Sequence, residues 1–342
     1  MRSSVLFTVC VAAGLAAPTA ARAKPMLLIS AEASDEVVLV DPATAKVVER
    51  VKVGARPRGL KLSPDGRQLF VAMAGAQKGP ARAGAPTPPA PAGAGIAVVD
   101  VAGRKVIKQI ATPPGPFAVD LLPDGKTAFV SNSETNELLV IDVGAGTIKT
   151  KTHVGTAPQG VAVRPDGKVV YVAAHGADEL SAIDTKTMTL LGRIDAGSRP
   201  QIVLFTPRAQ TAVVIDEGLP SVTTVDVKKN AFKEQFTIPE LPKTTPPPAL
   251  QSAVFSPDGK RLYVTTGAGR SVLIVDLAKK AVVGTIDAVG MFPRGIAISK
   301  DGRKLYTANG PSNDVAIINV ATKKVESHVA VPGAPWGVVL LP

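Results

Sequence analysis

A chain of 342 residues with 45% apolar residues has ample material for a core, and 31 Gly and 30 Pro against only 4% aromatics point to many turns. The formal charge is +11, and the one cysteine, Cys10, excludes a disulfide framework and a Cys-ligated metal site.

Residues 1–23 read as a secretory signal. Arg2 supplies the basic start, Val5 to Ala17 the apolar run, and Ala21-Arg22-Ala23 an A-x-A cleavage site before Lys24. The apolar run is too short to span a bilayer comfortably, and nothing later resembles a transmembrane segment. Cleavage after Ala23 removes Cys10, Arg2 and Arg22, which lowers the net charge to +9 and places the mature chain in the periplasm or outside the cell.

From Met26 onward the chain is built of repeats. One anchor is an Asp-Gly turn: SPDG at Ser63–Gly66, LPDG at Leu122–Gly125, RPDG at Arg164–Gly167, SPDG at Ser256–Gly259 and SKDG at Ser299–Gly302, with a degenerate TPRA at Thr206–Ala209. The other is an Asp closing an apolar strand, at Asp41, Asp100, Asp142, Asp184, Asp226 and Asp276, with Asn319 last. The regular copies repeat every 42 residues. The cleanest copy predicts four strands, Gly160–Val163, Val169–Ala174, Leu180–Asp184 and Thr189–Asp195. A Gly-x-x-Pro segment such as Gly197–Pro200 then leads into the next copy. Residues 74–95 form an Ala/Pro/Gly-rich insertion between second and third strands, expected to be a mobile loop. Residues 239–248 (PELPKTTPPP) extend the exit of the fifth copy and read as polyproline-like.

A period near 42 with four strands per copy is the signature of a β-propeller. The chain starts in mid-repeat at Met26–Ala31 and ends on Trp336–Leu341, which aligns with first strands. The expectation is an all-β, seven-bladed propeller spanning 24–342, with four antiparallel strands per blade, closed by the C-terminal strand completing the N-terminal blade. The runs Val170-Tyr171-Val172-Ala173-Ala174, Leu262-Tyr263-Val264-Thr265-Thr266-Gly267 and Leu305-Tyr306-Thr307-Ala308-Asn309 resemble the YVTN family of β-propeller repeats over essentially the whole mature chain. That resemblance implies the propeller fold and leaves the activity open, because the repeat motif is structural.

Four alternating strands put the lead-in loops and the second-to-third loops on one face. Residues just after each lead-in Pro ring the channel mouth there: Arg58, Phe117, Gln159, Gln201, Arg294 and Trp336, with Gln251 at a similar though not identical alignment. Glu32, Asn132, His175, Asp216, Glu217 and Asn309, at the ends of second strands, join the same rim. Both irregular insertions emerge on this face, which marks it as the working face. The opposite face carries basic turns, among them Arg67, Lys126, Lys168 and Arg303, suited to an anionic surface. Nucleic acid is disfavoured, since aromatic interleaving is lacking.

Three His, no G-x-S-x-G and no C-x-x-C-H argue against triad hydrolysis and covalent haem. His153 and His328 fall on fourth strands at the outer edge, so His175 is the candidate catalytic residue. The reading favoured at this level is a monomeric, non-catalytic scaffold binding a periplasmic or envelope protein, or a small ligand, through Arg58, Phe117, Gln159, Gln201, Arg294 and Trp336, with no cofactor. The alternative is a calcium-dependent lactonase-like hydrolase, with Glu32, Asn132, Asp216, Glu217 and Asn309 as oxygen ligands and His175 as general base. A further alternative is an accessory propeller for a periplasmic redox enzyme.

Overall fold

The computed structural model describes residues 24–76, 93–238, 241 and 248–341. Residues 1–23, on which the secretory-signal expectation falls, most of the 74–95 insertion and most of the 239–248 exit lie outside the described residues. Among the described residues, seven four-stranded antiparallel sheets form the blades of a propeller, and no helix is long and apolar enough to cross a membrane.

Blade 1 takes its innermost strand from the end of the chain: Pro335–Leu341 pairs with Met26–Ala31, Leu28 facing Val339 and Ile29 facing Val338. The expected closure is therefore present. The innermost strands of blades 2 to 7 are Pro57–Leu62, Pro116–Leu121, Pro158–Val163, Pro200–Phe205, Ala253–Phe255 and Pro293–Ile298. Each touches its neighbours in the ring around the channel. Blade 4 follows the sequence reading within one or two residues, with strands Pro158–Val163, Val169–Ala174, Glu179–Asp184 and Leu190–Asp195.

The core lies between blades. Second and third strands are buried on both faces, so they read as continuous Val/Ile/Leu runs, while fourth strands alternate and face solvent. Each repeat anchor has a local job. Asp65 accepts from the Arg67 N–H at 3.0 Å across its hairpin, with Gly66 at φ +70°. Asp184 accepts from the Lys186 and Thr187 N–H groups at 2.9 and 2.8 Å, and those bonds hold its carboxyl below the ordinary range.

The degenerate fifth-blade turn keeps the same geometry without its glycine. Ala209 sits at φ +51° and donates to Thr206 O at 2.7 Å, as Gly66 does to Ser63 O. A left-handed non-Gly residue costs about 1 kcal/mol, so Ala209→Gly is expected to stabilise the chain by roughly that amount, less the extra entropy of an unfolded Gly. A urea midpoint at or below the parent's would contradict this.

Candidate functional site

The channel mouth is assembled by the lead-in loops, which are held in a strained conformation. Arg56, Ala157, Arg199 and Ala334 each precede a proline and adopt φ near +50°. Their N–H groups are captured by a carboxylate or amide of the preceding blade: Asp35, Asn136, Asp178 and Asn313, at 2.9, 2.8, 2.7 and 2.9 Å. Such bonds offset the backbone strain and lock one blade's lead-in to its neighbour. They bring Arg56 to Glu32 and Arg199 to Glu217, two contacts of the rim carboxylates that the sequence reading missed. The signal was present in the Asp-Glu, Asn-Glu or Asn-Asp pair opening the third strand of blades 1, 3, 4 and 7.

Two charge clusters stand on this rim. Glu32, the residue after the Met26–Ala31 strand, pairs with Arg56 at 2.8 Å and Arg58 at 2.9 Å. Glu217, in the equivalent place on blade 5, is bound by His175 at 2.8 Å, Arg199 at 2.8 Å and Gln251 at 3.2 Å. The His175 hydrogen bond is the chief cause that keeps Glu217 below the usual carboxylate range, with Gln251 and Arg199 adding to it against the cost of burial. An ionised Glu217 only accepts, so Nε2 of His175 is the donor. The ring's Nδ1 has no partner among the described residues, and in the neutral ring it carries the lone pair.

Continuing from the Glu32 cluster through Arg58, rings and guanidiniums alternate around consecutive blades. Arg294 lies 4.7 Å from Phe292 and 3.8 Å from Trp336, and Arg58 lies 4.6 Å from Trp336 and 5.7 Å from Phe117. Among the described residues Arg294 forms no ion pair and donates no hydrogen bond. Burial pushes its pKa down, partly offset by the nearby Glu32 charge. A half-buried guanidinium with open donors is a receptor for a planar oxyanion.

Below the mouth lies a cavity of about 470 Å³. Arg58, Phe117, Gln201, Gln251, Arg294 and Trp336 line its upper part, and Ile202, Ile296 and Val338 lie among its apolar walls. Gln159 stands beside this ring rather than in the lining. The Oε1 atoms of Gln159 and Gln201 are buried and have no hydrogen-bond partner among the described residues.

The five oxygen-bearing residues considered as calcium ligands are not brought together. Asn132, Asp216 and Asn309 end their second strands fully buried and turned into their own blades. Asn132 accepts from the Glu134 and Thr135 N–H groups and donates to Pro113 O. Asn309 donates to Val289 O and Asp314, while Asp216 accepts from Ser221, Thr223 and Gln235. Glu32 and Glu217 do reach the rim, but on separate blades and each neutralised by cationic partners. Among the described residues no group of three or more His, Cys, Asp or Glu could hold a metal ion. The set does not fit calcium. The reason is a one-residue offset: the last strand residue points inward to the blade, and the residue after it points to the mouth.

Residues 192–336 match the family described as Lactonase, 7-bladed beta-propeller. The matched segment carries Arg199, Gln201, Glu217, Gln251, Arg294 and Trp336. This match overturns the scaffold reading, which rested on the lack of a recognised catalytic motif. A motif search misses a site whose members come from separate blades. No curated protein matches the chain. Among solved structures, it resembles a putative 6-phosphogluconolactonase from Bacteroides fragilis (17% identity, 93% of this chain and 98% of that one, TM-score 0.72). It also resembles a periplasmic gluconolactonase from Pseudomonas aeruginosa (19% identity, 93% and 99%, TM-score 0.72). A third likeness is to Kuenenia stuttgartiensis hydrazine synthase (23% identity, 82% and 88%, TM-score 0.70). At these identities the likeness is one of fold.

Proposed function

We propose that this chain hydrolyses a polyhydroxylated lactone at the channel mouth. The observation that carries the reading is the His175–Glu217 pair, set on the same rim as a guanidinium, Arg294, that has no anionic partner, above a cavity of about 470 Å³. Glu217 fixes the His175 ring, and Nδ1 takes a proton from water as its oxygen attacks the lactone carbonyl carbon. The carbonyl oxygen becomes an oxyanion facing Arg294. The ring C–O bond then breaks, and the leaving oxygen takes the proton back from His175, giving a hydroxy acid. The unpartnered Oε1 of Gln201, in the cavity lining, suits a substrate hydroxyl, in keeping with the gluconolactonase names of two fold relatives. The basic start, apolar run and A-x-A site of residues 1–23 support an exported enzyme.

Lactones open spontaneously, so the test is rate above buffer. Protein lacking residues 1–23 is expected to accelerate opening of glucono-1,5-lactone or its 6-phosphate at constant pH. His175→Gln is expected to lower kcat about 100-fold with KM little changed. Parent protein no faster than buffer on either lactone, or a fully active His175→Gln, would sink the proposal.

A further inference from the structure

The two arginines on the innermost strands, Arg58 and Arg294, sit at places where the sheet ladder is interrupted. In blade 2 Pro57 faces Met73 and Leu60 faces Val71, so Arg58-Gly59 is unpaired; in blade 7 Arg294-Gly295 is unpaired between Pro293 and Ile296. Gln159-Gly160 repeats the pattern in blade 4. The glycines permit contact with the next strand: a Cβ at Gly59 would lie 2.6 Å from Phe117 O, and one at Gly295 would lie 2.7 Å from Trp336 O. A bulge of this kind loses ladder bonds and needs another hold on its backbone.

That hold comes from a hydroxyl on the preceding blade. Ser30 Oγ donates to Arg58 O at 2.7 Å and accepts from Gly337 N at 2.8 Å. Thr265 Oγ1 donates to Arg294 O at 2.8 Å and accepts from Ser252 N at 3.0 Å. Ser131 Oγ donates to Gln159 O at 2.5 Å and accepts from Ala118 N at 3.2 Å. These three occupy one repeat position, opposite Val37, Val272 and Leu138, and are fully buried. At the same position the other blades carry Ala72, Ala173, Ile215 and Ala308, which cannot make the bond. Their successors at the mouth are Phe117, Gln201, Gln251 and Trp336. Both innermost-strand arginines are therefore pinned from behind, whereas neither ring on these strands is.

We propose that Ser30 and Thr265 are positioning residues of the site, fixing the backbone of Arg58 and Arg294 so that both guanidiniums stay registered against Trp336. The catalytic part of this proposal rests on the lactonase reading. Its geometric part does not, because Trp336 is the chain's single tryptophan and reports on both arginines directly.

The experiment compares Ser30→Ala, Thr265→Val, Thr265→Ser and the control Ser131→Ala, which removes the same bond from Gln159. Each variant is measured for melting temperature, for iodide and acrylamide quenching of Trp336, and for glucono-1,5-lactone opening. All three hydroxyl deletions are expected to lower stability alike. Ser30→Ala and Thr265→Val alone are expected to reduce iodide quenching relative to acrylamide about twofold, as the cations drawing iodide move away. Thr265→Val is also expected to lower kcat about tenfold with KM nearly unchanged, and Thr265→Ser to restore both. Equal quenching and kinetic changes in Ser131→Ala, or parental quenching in both Ser30→Ala and Thr265→Val, would overturn the proposal. A parent that opens no lactone refutes the lactonase reading, while the quenching comparison still decides the positioning claim.

Discussion

A chain ending at Ala334 is expected to lose its cooperative fold at temperatures where the full chain is intact. The Pro335–Leu341 strand supplies the whole ladder on the inner edge of Met26–Ala31, from Met26–Leu341 to Ala31–Pro335. It also wedges between the innermost strands of blades 2 and 7 and contributes Val338 and Leu340 to the core between blades 7 and 1. Removing it bares a hydrophobic edge and opens the ring at the one place where closure is not covalently continuous. The lost burial and pairing are on the order of 10 kcal/mol, comparable to the entire stability of an ordinary domain. The measurement is thermal melting followed by circular dichroism. Melting like the parent's would refute blade closure by this strand.

The second large effect is expected at Asp216. The equivalent strand-end residues Asn132 and Asn309 donate from their amides to lead-in carbonyls, Pro113 O at 3.0 Å and Val289 O at 2.7 Å. An ionised carboxylate cannot donate. Asp216 takes three hydrogen bonds on Oδ2 while Oδ1 is buried with no partner among the described residues. Burial pushes its pKa up to about 7, with the Asp195 charge adding and the three donors opposing. Between about pH 4 and pH 7 the folded chain therefore holds a proton that the unfolded chain has released, so stability falls as pH rises through that window and levels off above it. Asp216→Asn removes the titration and restores a donor. It is expected to stabilise the protein by on the order of 4 kcal/mol at pH 8 and to have little effect near pH 4. Urea midpoints of both proteins from pH 4.5 to 8.5 test this, and an offset independent of pH would count against it.

Much of the frame was legible in the residues. Asp-Gly turns and strand-closing Asp residues recur because they satisfy their own turns locally, so their spacing counted the blades and predicted strand bounds within a residue or two. The ring order from Arg58 to Trp336 followed from repeat alignment. The alignment did not resolve which of two adjacent residues at a strand end faces the mouth. Asn132, Asp216 and Asn309 were therefore grouped with Glu32, His175 and Glu217, although their side chains point elsewhere. Arg56 and Arg199 were overlooked because a residue before proline is ordinarily extended. Here Asp35 and Asp178 on a neighbouring blade hold each in the left-handed region.

What the sequence by itself determined is therefore local and periodic: the strands, the turns, the number of blades and the face bearing the irregular residues. These depend on contacts within one repeat. Only the tertiary structure decided which residues meet. The His175–Glu217 pair, the arginines stacked on Trp336 and the hydroxyl pins behind them all join residues from different blades. Their distances are set by how neighbouring sheets pack around the channel, and no single repeat encodes that packing.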